Sequence, residues 1–212
     1  MSVITLSRQI GSLGDEVARL LCERLGMQRF DKSVMTELGQ ELGMAPAVIA
    51  QAVADRRPAK GLLERWFGNY QDPLGDPSGW TFGARSDAFE GISVANLIRL
   101  IHAGYDRGNV VIVGRGGMAA LQDKRDVLHV RVLAPKELRI KRVQQSENVT
   151  LEEARKRVEA RDASDVEWIH RYFDLDAHDP QLFDLVINTA KIAPAEAVDL
   201  IVKALAVMQA RS

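Results

Sequence analysis

Cysteine is almost missing from this chain: Cys22 is the single one in 212 residues. An intramolecular disulfide is therefore excluded, and Cys22, on a helical stripe, reads as a packed small hydrophobe rather than a nucleophile. Histidine is scarce as well. His102, His129, His170 and His178 share no ligand spacing, so no metal centre is expected and each reads as a packed or surface residue. No apolar run approaches the roughly 18 residues that a membrane span needs. The opening Met1-Ser2-Val3-Ile4-Thr5-Leu6 has no basic stretch or small-residue cleavage site of a secretory signal, so a reducing cytoplasm is the expected location. Neither sign of charge is in excess: 28 basic and 29 acidic residues give a net charge of −1. A nucleic-acid partner, which calls for a basic excess, is not expected, and neither is a membrane partner. The oligomeric state is left open, a homo-oligomer included.

What is present is a chain with enough apolar residues, 46%, for a core, in a length that suits one domain over residues 1–212. Val3-Ile4-Thr5-Leu6 reads as a buried strand. The loop Ser7–Gly14 follows, then a helical stripe of Val17, Leu20, Leu21 and Leu25 that Gly26 ends. Asp31 is placed to cap a second helix through Met35, Leu38 and Leu42, and a short helix follows Pro46. Residues 55–92 carry Trp66, Phe67, Tyr70, Trp80, Phe82 and Phe89 among turn signals such as Asp72-Pro73-Leu74-Gly75 and Asp76-Pro77-Ser78-Gly79. They read as an irregular, mobile insertion, its aromatics either local core or a stacking or docking surface.

Periodicity returns with Val94, Leu97, Ile98, Ile101 and Tyr105. Val110–Val113 and Val127–Val132 read as strands, the first followed by Gly114-Arg115-Gly116-Gly117. Pro135, the Thr150/Glu153 capping box and Pro194 mark three helix starts, and Leu185-Val186-Ile187 a last strand. Alternating strands and helices predict an α/β fold with a parallel sheet between helices. Ligands of such sheets bind beyond the carboxyl ends of the strands, where Arg8–Gly14 and Gly114–Gly117 lie.

A loop that enters a helix offers unpaired amides and a positive helix end to an anion. Gly11 and Gly14, with Ser12 between them, give that loop its turns. The usual phosphate loop would continue G-K-[ST], and both the lysine and the hydroxyl residue are missing. An ordinary tight turn is the competing reading. Arg8 and Gln9 stand where they can reach a phosphate; the alternative for Arg8 is a salt bridge to Asp15 or Glu16. Those two carboxylates oppose a bound phosphate unless Mg²⁺ lies between.

Taken in order, Ile4–Ala18 (ITLSRQIGSLGDEVA), Arg29-Phe30-Asp31-Lys32, Val111–Gly116, Val130–Pro135, Tyr172-Phe173, Asp179-Pro180 and Asp184–Thr189 resemble the cytidylate-kinase-like family, a divergent branch of the nucleoside monophosphate kinases. The resemblance covers most of residues 1–50 and 94–205 and is weakest over 55–92. It implies a three-layer P-loop NTPase-like fold with a five-stranded parallel sheet, an insertion on the monophosphate side, and a helical lid at about 150–180. It further implies a transferase that binds ATP with Mg²⁺ and phosphorylates a nucleoside monophosphate. Gly14 falls on the family's loop lysine and Glu16 on its threonine. Arg115 falls on the arginine of a G-R-D motif whose aspartate is Gly116 here. Gln9, Gly11, Ser12, Gly14, Asp31, Arg115 and Arg131 are then expected to bind nucleotide and phosphate. Arg8, Arg161 and Arg171 are expected to act in catalysis, and no residue is expected to hold a metal by itself. A binding module that has lost kinase activity is the competing outcome. Arg139-Ile140-Lys141-Arg142 reads as a solvated helix face, or with one arginine turned toward the lid. Lys156, Arg157 and Arg161 have Glu152 and Glu153 as ordinary helical partners.

Overall fold

The computed structural model describes residues 2–53 and 87–210. The insertion expected over 55–92 therefore lies, as far as residue 86, outside the described residues.

Five strands form one parallel sheet: β1 (Val3–Arg8), β2 (Gln28–Arg29), β3 (Val110–Val113), β4 (Val127–Leu133) and β5 (Leu185–Asn188), in the order β2-β3-β1-β4-β5. β1 is central. It pairs with β3 from Val3↔Val110 to Leu6↔Val113, and with β4 from Val3↔Val127 to Arg8↔Val132. These strands are rich in Val, Ile and Leu because both faces are covered, and successive residues feed opposite cores. Ile4, Leu6, Val111 and Val113 meet α1 (Gly14–Leu25) and the C-terminal helix α8 (Pro194–Gln209) through Val17, Leu21, Val198 and Ile201. Val3, Val110 and Ile112 meet α2 (Lys32–Glu41), α3 (Pro46–Val53) and α4 (Asp87–Arg107) through Met35, Leu38, Ile49 and Leu100. A smaller cluster of Ile140, Val143, Ala154 and Val158 joins α6 (Lys136–Glu147) to α7 (Leu151–Phe173), which spans most of the expected lid.

The helix starts follow their local signals. Asp31 Oδ1 accepts from the amides of Ser33 and Val34 at 2.9 and 3.1 Å. The Thr150 hydroxyl accepts from the Glu153 amide, and Glu153 returns the bond to the Thr150 amide. Gly26 ends α1 with φ 63°. Three elements differ from expectation. α4 begins at Asp87, inside the stretch to residue 92 that reads in sequence as irregular. β2 has two residues, too few to show a pattern, and the four-residue helix α5 (Gly117–Ala120) stands where only a loop is expected. No helix among the described residues is long and apolar enough to cross a membrane.

Candidate active site

β1, β3 and β4 end side by side, and their connections build one cleft of about 470 Å³. From β1 the chain turns through Gln9–Leu13 into α1. The Gln9 amide donates to Val132 O at 3.2 Å and the Ser12 amide to Gln9 O at 3.1 Å, so the loop folds back on itself. Two residues take left-handed backbone, Gly11 (φ 73°) and Leu13 (φ 63°). A side chain at 11 would lie 2.6 Å from Arg139 O, so glycine is required there. Leucine in this conformation costs on the order of 1–2 kcal/mol, strain that the surrounding packing holds. Among the described residues, no partner engages the amides of Leu13, Gly14, Asp15 and Glu16. They are the open donors of a helix start, favourable to an anion.

Arg8 crosses this loop. A Cβ added to Gly14 would stand 2.4 Å from Arg8 Cβ and 2.9 Å from its Cγ, and one on Gly114 would stand 2.5 Å from its Nη1. The stem of Arg8 thus lies against the position where a loop lysine would leave the backbone, and its guanidinium reaches the end of β3. Its Nε is buried without an aligned hydrogen-bond partner, although Asp15 Oδ2 is 3.4 Å away. Asp15 Oδ1 also takes Arg29 Nη2 at 2.7 Å. Arg8 thus lines the cleft and also forms the expected pair with Asp15. Ser12 is fully buried, its Oγ unpartnered, and its carbonyl accepts from Thr189 Oγ1 at 2.7 Å.

After β3, Gly114 (φ 65°), Arg115 (φ 55°) and Gly116 (φ 71°) are all left-handed, and Gly117 N–H closes the turn onto Gly114 O at 2.9 Å. Two glycines adopt that geometry freely; Arg115 does so under strain. Its Nη1 lies 3.4 Å from Val53 O. From β4, Arg131 bonds the Ala177 carbonyl, approaches His178 Nδ1 at 3.5 Å and lies over the Phe183 ring at 5.1 Å. Burial lowers its pKa, against the pull of Asp162, Asp165 and Asp176, so its charge is costly and suited to an added anion. On α7, Arg161 Nε pairs with Asp165 Oδ1 at 3.1 Å. Burial raises the pKa of Asp165, while Arg161 and Arg8 oppose that shift.

Of the expected residues, Arg8, Gln9, Asp31, Arg115, Arg131 and Arg161 line this one cleft. Gly11, Ser12 and Gly14 form the loop beside it. Arg171 is not among the lining residues; it sits exposed in the last turn of α7, over the Tyr172 ring at 5.7 Å. Arg29 and Asp162 line the cleft without having been singled out for it, and Asp165, which the family resemblance sets with Arg161 in the lid, lines it too. Arg29 stands inside the Arg29-Phe30-Asp31-Lys32 element, which was its only signal. The solvated-face reading of residues 139–142 is overturned for both arginines. Arg139 is 3% exposed and forks onto Asp162 at 3.0 and 2.7 Å, while its Nη1 also meets Ile10 O at 3.3 Å. Arg142 bonds Gly11 O and both oxygens of Thr189. Basic residues spaced for solvent here brace the loop, because their partners arrive from elements distant in sequence. Of the helical pairs expected on α7, Lys156 with Glu152 forms, but Arg157 pairs with Glu147 of α6.

His129 is buried in β4, its Nδ1 2.7 Å from Thr5 Oγ1. Burial also raises the pKa of the half-buried Cys22 thiol, as the packed reading expects. Among the described residues no group of three or more His, Cys, Asp or Glu forms a metal cage.

The Cytidylate kinase-like family matches this chain over residues 3–191. A cytidylate kinase of Ignicoccus hospitalis is 28% identical over 204 residues, spanning 95% of this chain and 97% of the relative. One from Pyrococcus horikoshii is 36% identical over 97 residues, 46% of this chain and 49% of that one. Among solved structures, an uncharacterized protein from Eubacterium ventriosum superposes with a TM-score of 0.66 at 18% identity, covering 97% of this chain and 98% of the other. Shikimate kinase from Bacteroides thetaiotaomicron follows at a TM-score of 0.50 and 12% identity, over 96% and 98%. At these identities the two structures establish the shared fold.

Proposed function

The chain belongs to the cytidylate kinase-like family, and from that premise we propose that its cleft transfers the terminal phosphoryl group of ATP to a nucleoside monophosphate. The carrying observation is Arg8, whose side chain overlies Gly14, where a loop lysine would start, and whose Nε has no aligned partner. In the reaction an oxygen of the acceptor phosphate bonds to the γ-phosphorus as the bond to the β-phosphate oxygen breaks and ADP leaves. The acceptor is already anionic, so no general base is needed. Catalysis then reduces to positioning and charge neutralisation. Arg8 and the open amides of Leu13–Glu16 hold donor phosphates. Arg115 and Asp31 shape the acceptor side, and Arg131 and Arg161 close the cation ring from β4 and the lid helix.

The unpartnered Ser12 Oγ and Arg8 Nε suit a triphosphate. Mg²⁺, when bound with the nucleotide, would take most of its ligands from phosphate and water and would offset phosphate charge. Asp15 and Glu16 are the hard oxygen donors next to the loop amides, and the pairing of Asp15 with Arg8 and Arg29 leaves Glu16 the freer of the two.

Coupled ADP release with ATP and a panel of CMP, UMP, AMP and GMP tests this reading. Turnover with at least one acceptor is expected, with Arg8→Ala lowering kcat by about 10²–10³-fold, as loss of one electrostatic donor does. A second reading, a nucleotide-binding module without turnover, is favoured by the grip of Asp15 on Arg8. Tight nucleotide binding with no ADP released for any acceptor would select it.

A further inference from the structure

Part of the cleft wall is apolar: Leu97, Val113, Met118, Val166, Trp168 and Ile169 line it, and Trp168 meets the turn that carries Arg115. Trp168 is the only aromatic side chain of α7 on the wall, and Tyr172 and Phe173 hold it at centroid distances of 5.6 and 5.5 Å, tilted by 54° and 57°. Its ring edge occupies the space in front of Gly116: a Cβ there would lie 2.6 Å from Cζ3 and 2.8 Å from Cη2. A side chain at position 116 would have to displace this ring and that of Phe173, so in this arrangement the position reads no base edge by hydrogen bonding. Arg115, the neighbour of Gly116, is a guanidinium at the same wall, so a phosphate bound to it leaves the rest of its nucleoside next to the indole.

We propose that Trp168 holds the acceptor by stacking on its nucleobase, in place of side-chain readout at position 116. This rests on the kinase reading above for the identity of the site. An aromatic face accepts every base, because every base has a π-face. The four monophosphates are therefore bound with similar affinity, and the base contributes through its plane rather than its edge.

The test is calorimetric titration of wild type, Trp168→Leu and Trp168→Phe with CMP, UMP, AMP and GMP, and with ribose 5-phosphate as a ligand without a base. Leucine keeps apolar bulk on Gly116 and removes the stacking face. Trp168→Leu should weaken all four nucleotides by roughly 5- to 150-fold, the range of one base–aromatic stack, while ribose 5-phosphate binds as to wild type and Trp168→Phe restores most of the loss. Independent of any change at 168, indole fluorescence in a Trp66→Phe, Trp80→Phe background should be quenched by the nucleotides and not by ribose 5-phosphate. Equal losses for nucleotides and ribose 5-phosphate, or no quenching, overturn the role of Trp168 and leave the kinase reading standing. A wild-type protein that binds none of the five ligands overturns both.

Discussion

Position 14 and position 8 act as one device. Gly14 leaves the room that the stem of Arg8 fills, so restoring a lysine at 14 alone should fail. Gly14→Lys is expected to destabilise by about 1–3 kcal/mol through overpacking, without gaining phosphate affinity. Combined with Arg8→Gly it should be tolerated, giving a coupling above about 1 kcal/mol in a urea-unfolding double-mutant cycle. Additive effects would show that the two positions do not share that space. Arg115→Ala, at the strained turn, should leave folding largely intact and weaken monophosphate binding. One charge-assisted hydrogen bond, about 1.5–3 kcal/mol, corresponds to a loss of roughly tenfold to over a hundredfold. Equal binding by mutant and wild type would remove Arg115 from the acceptor side. The places of Arg8 and Arg115 at the cleft were legible in the sequence because each stands at the carboxyl end of a strand, whereas Arg131 came from the family resemblance. The pairs Arg29–Asp15 and Arg139–Asp162 were not: their partners are 14 and 23 residues apart, on different elements, and no local spacing rule joins them.

Helices were read best where their starts are chemically local. Asp31, the Thr150/Glu153 box and Pro194 each settle a helix start within a few residues, whereas β2 exists only through its pairing with β3. Arg139 and Asp162 form the most buried of the described ion pairs between α6 and α7. Asp162→Ala leaves a buried guanidinium uncompensated and should cost about 3 kcal/mol in denaturant unfolding. A cost under about 1 kcal/mol would mean that water or another carboxylate takes over. The β1–β4 pair carries a pH dependence. His129 stands opposite Thr5 in the register, and burial lowers its pKa from 6.5 more than Asp184 and the Leu121 carbonyl raise it. The unfolded chain therefore takes up this proton first as pH falls. Stability is fully present above pH 6.5 and declines below it until the folded-state pKa is passed. Thermal unfolding of His129→Leu should lack that component of the decline between pH 7.5 and 5.5; an unchanged profile would assign it to other groups.

At the scale of the whole molecule, a ligand that binds only the folded chain must stabilise all of it. With ATP at a hundred times its Kd, stabilisation of about 2.7 kcal/mol is expected, or roughly 5–10 °C in Tm for a domain of this size. Arg8→Ala should shrink that rise at the same ATP concentration, and a Tm indifferent to ATP would argue against a donor site. The central place of β1 has a further consequence, for the order in which the chain is made. Val3 pairs with Val110 on one side and Val127 on the other, so the first strand waits for more than one hundred residues before it has a neighbour. At a synthesis rate of about 5–20 residues per second, that wait lasts on the order of 5–25 s. During it the hydrophobic Val3–Leu6 has no sheet to enter, and the Arg8–Gly14 loop has no strand ends beside it. Nascent chains released before β4 should be protease-sensitive over Val3–Leu25, and protection there should appear in a single step once β4 has left the ribosome.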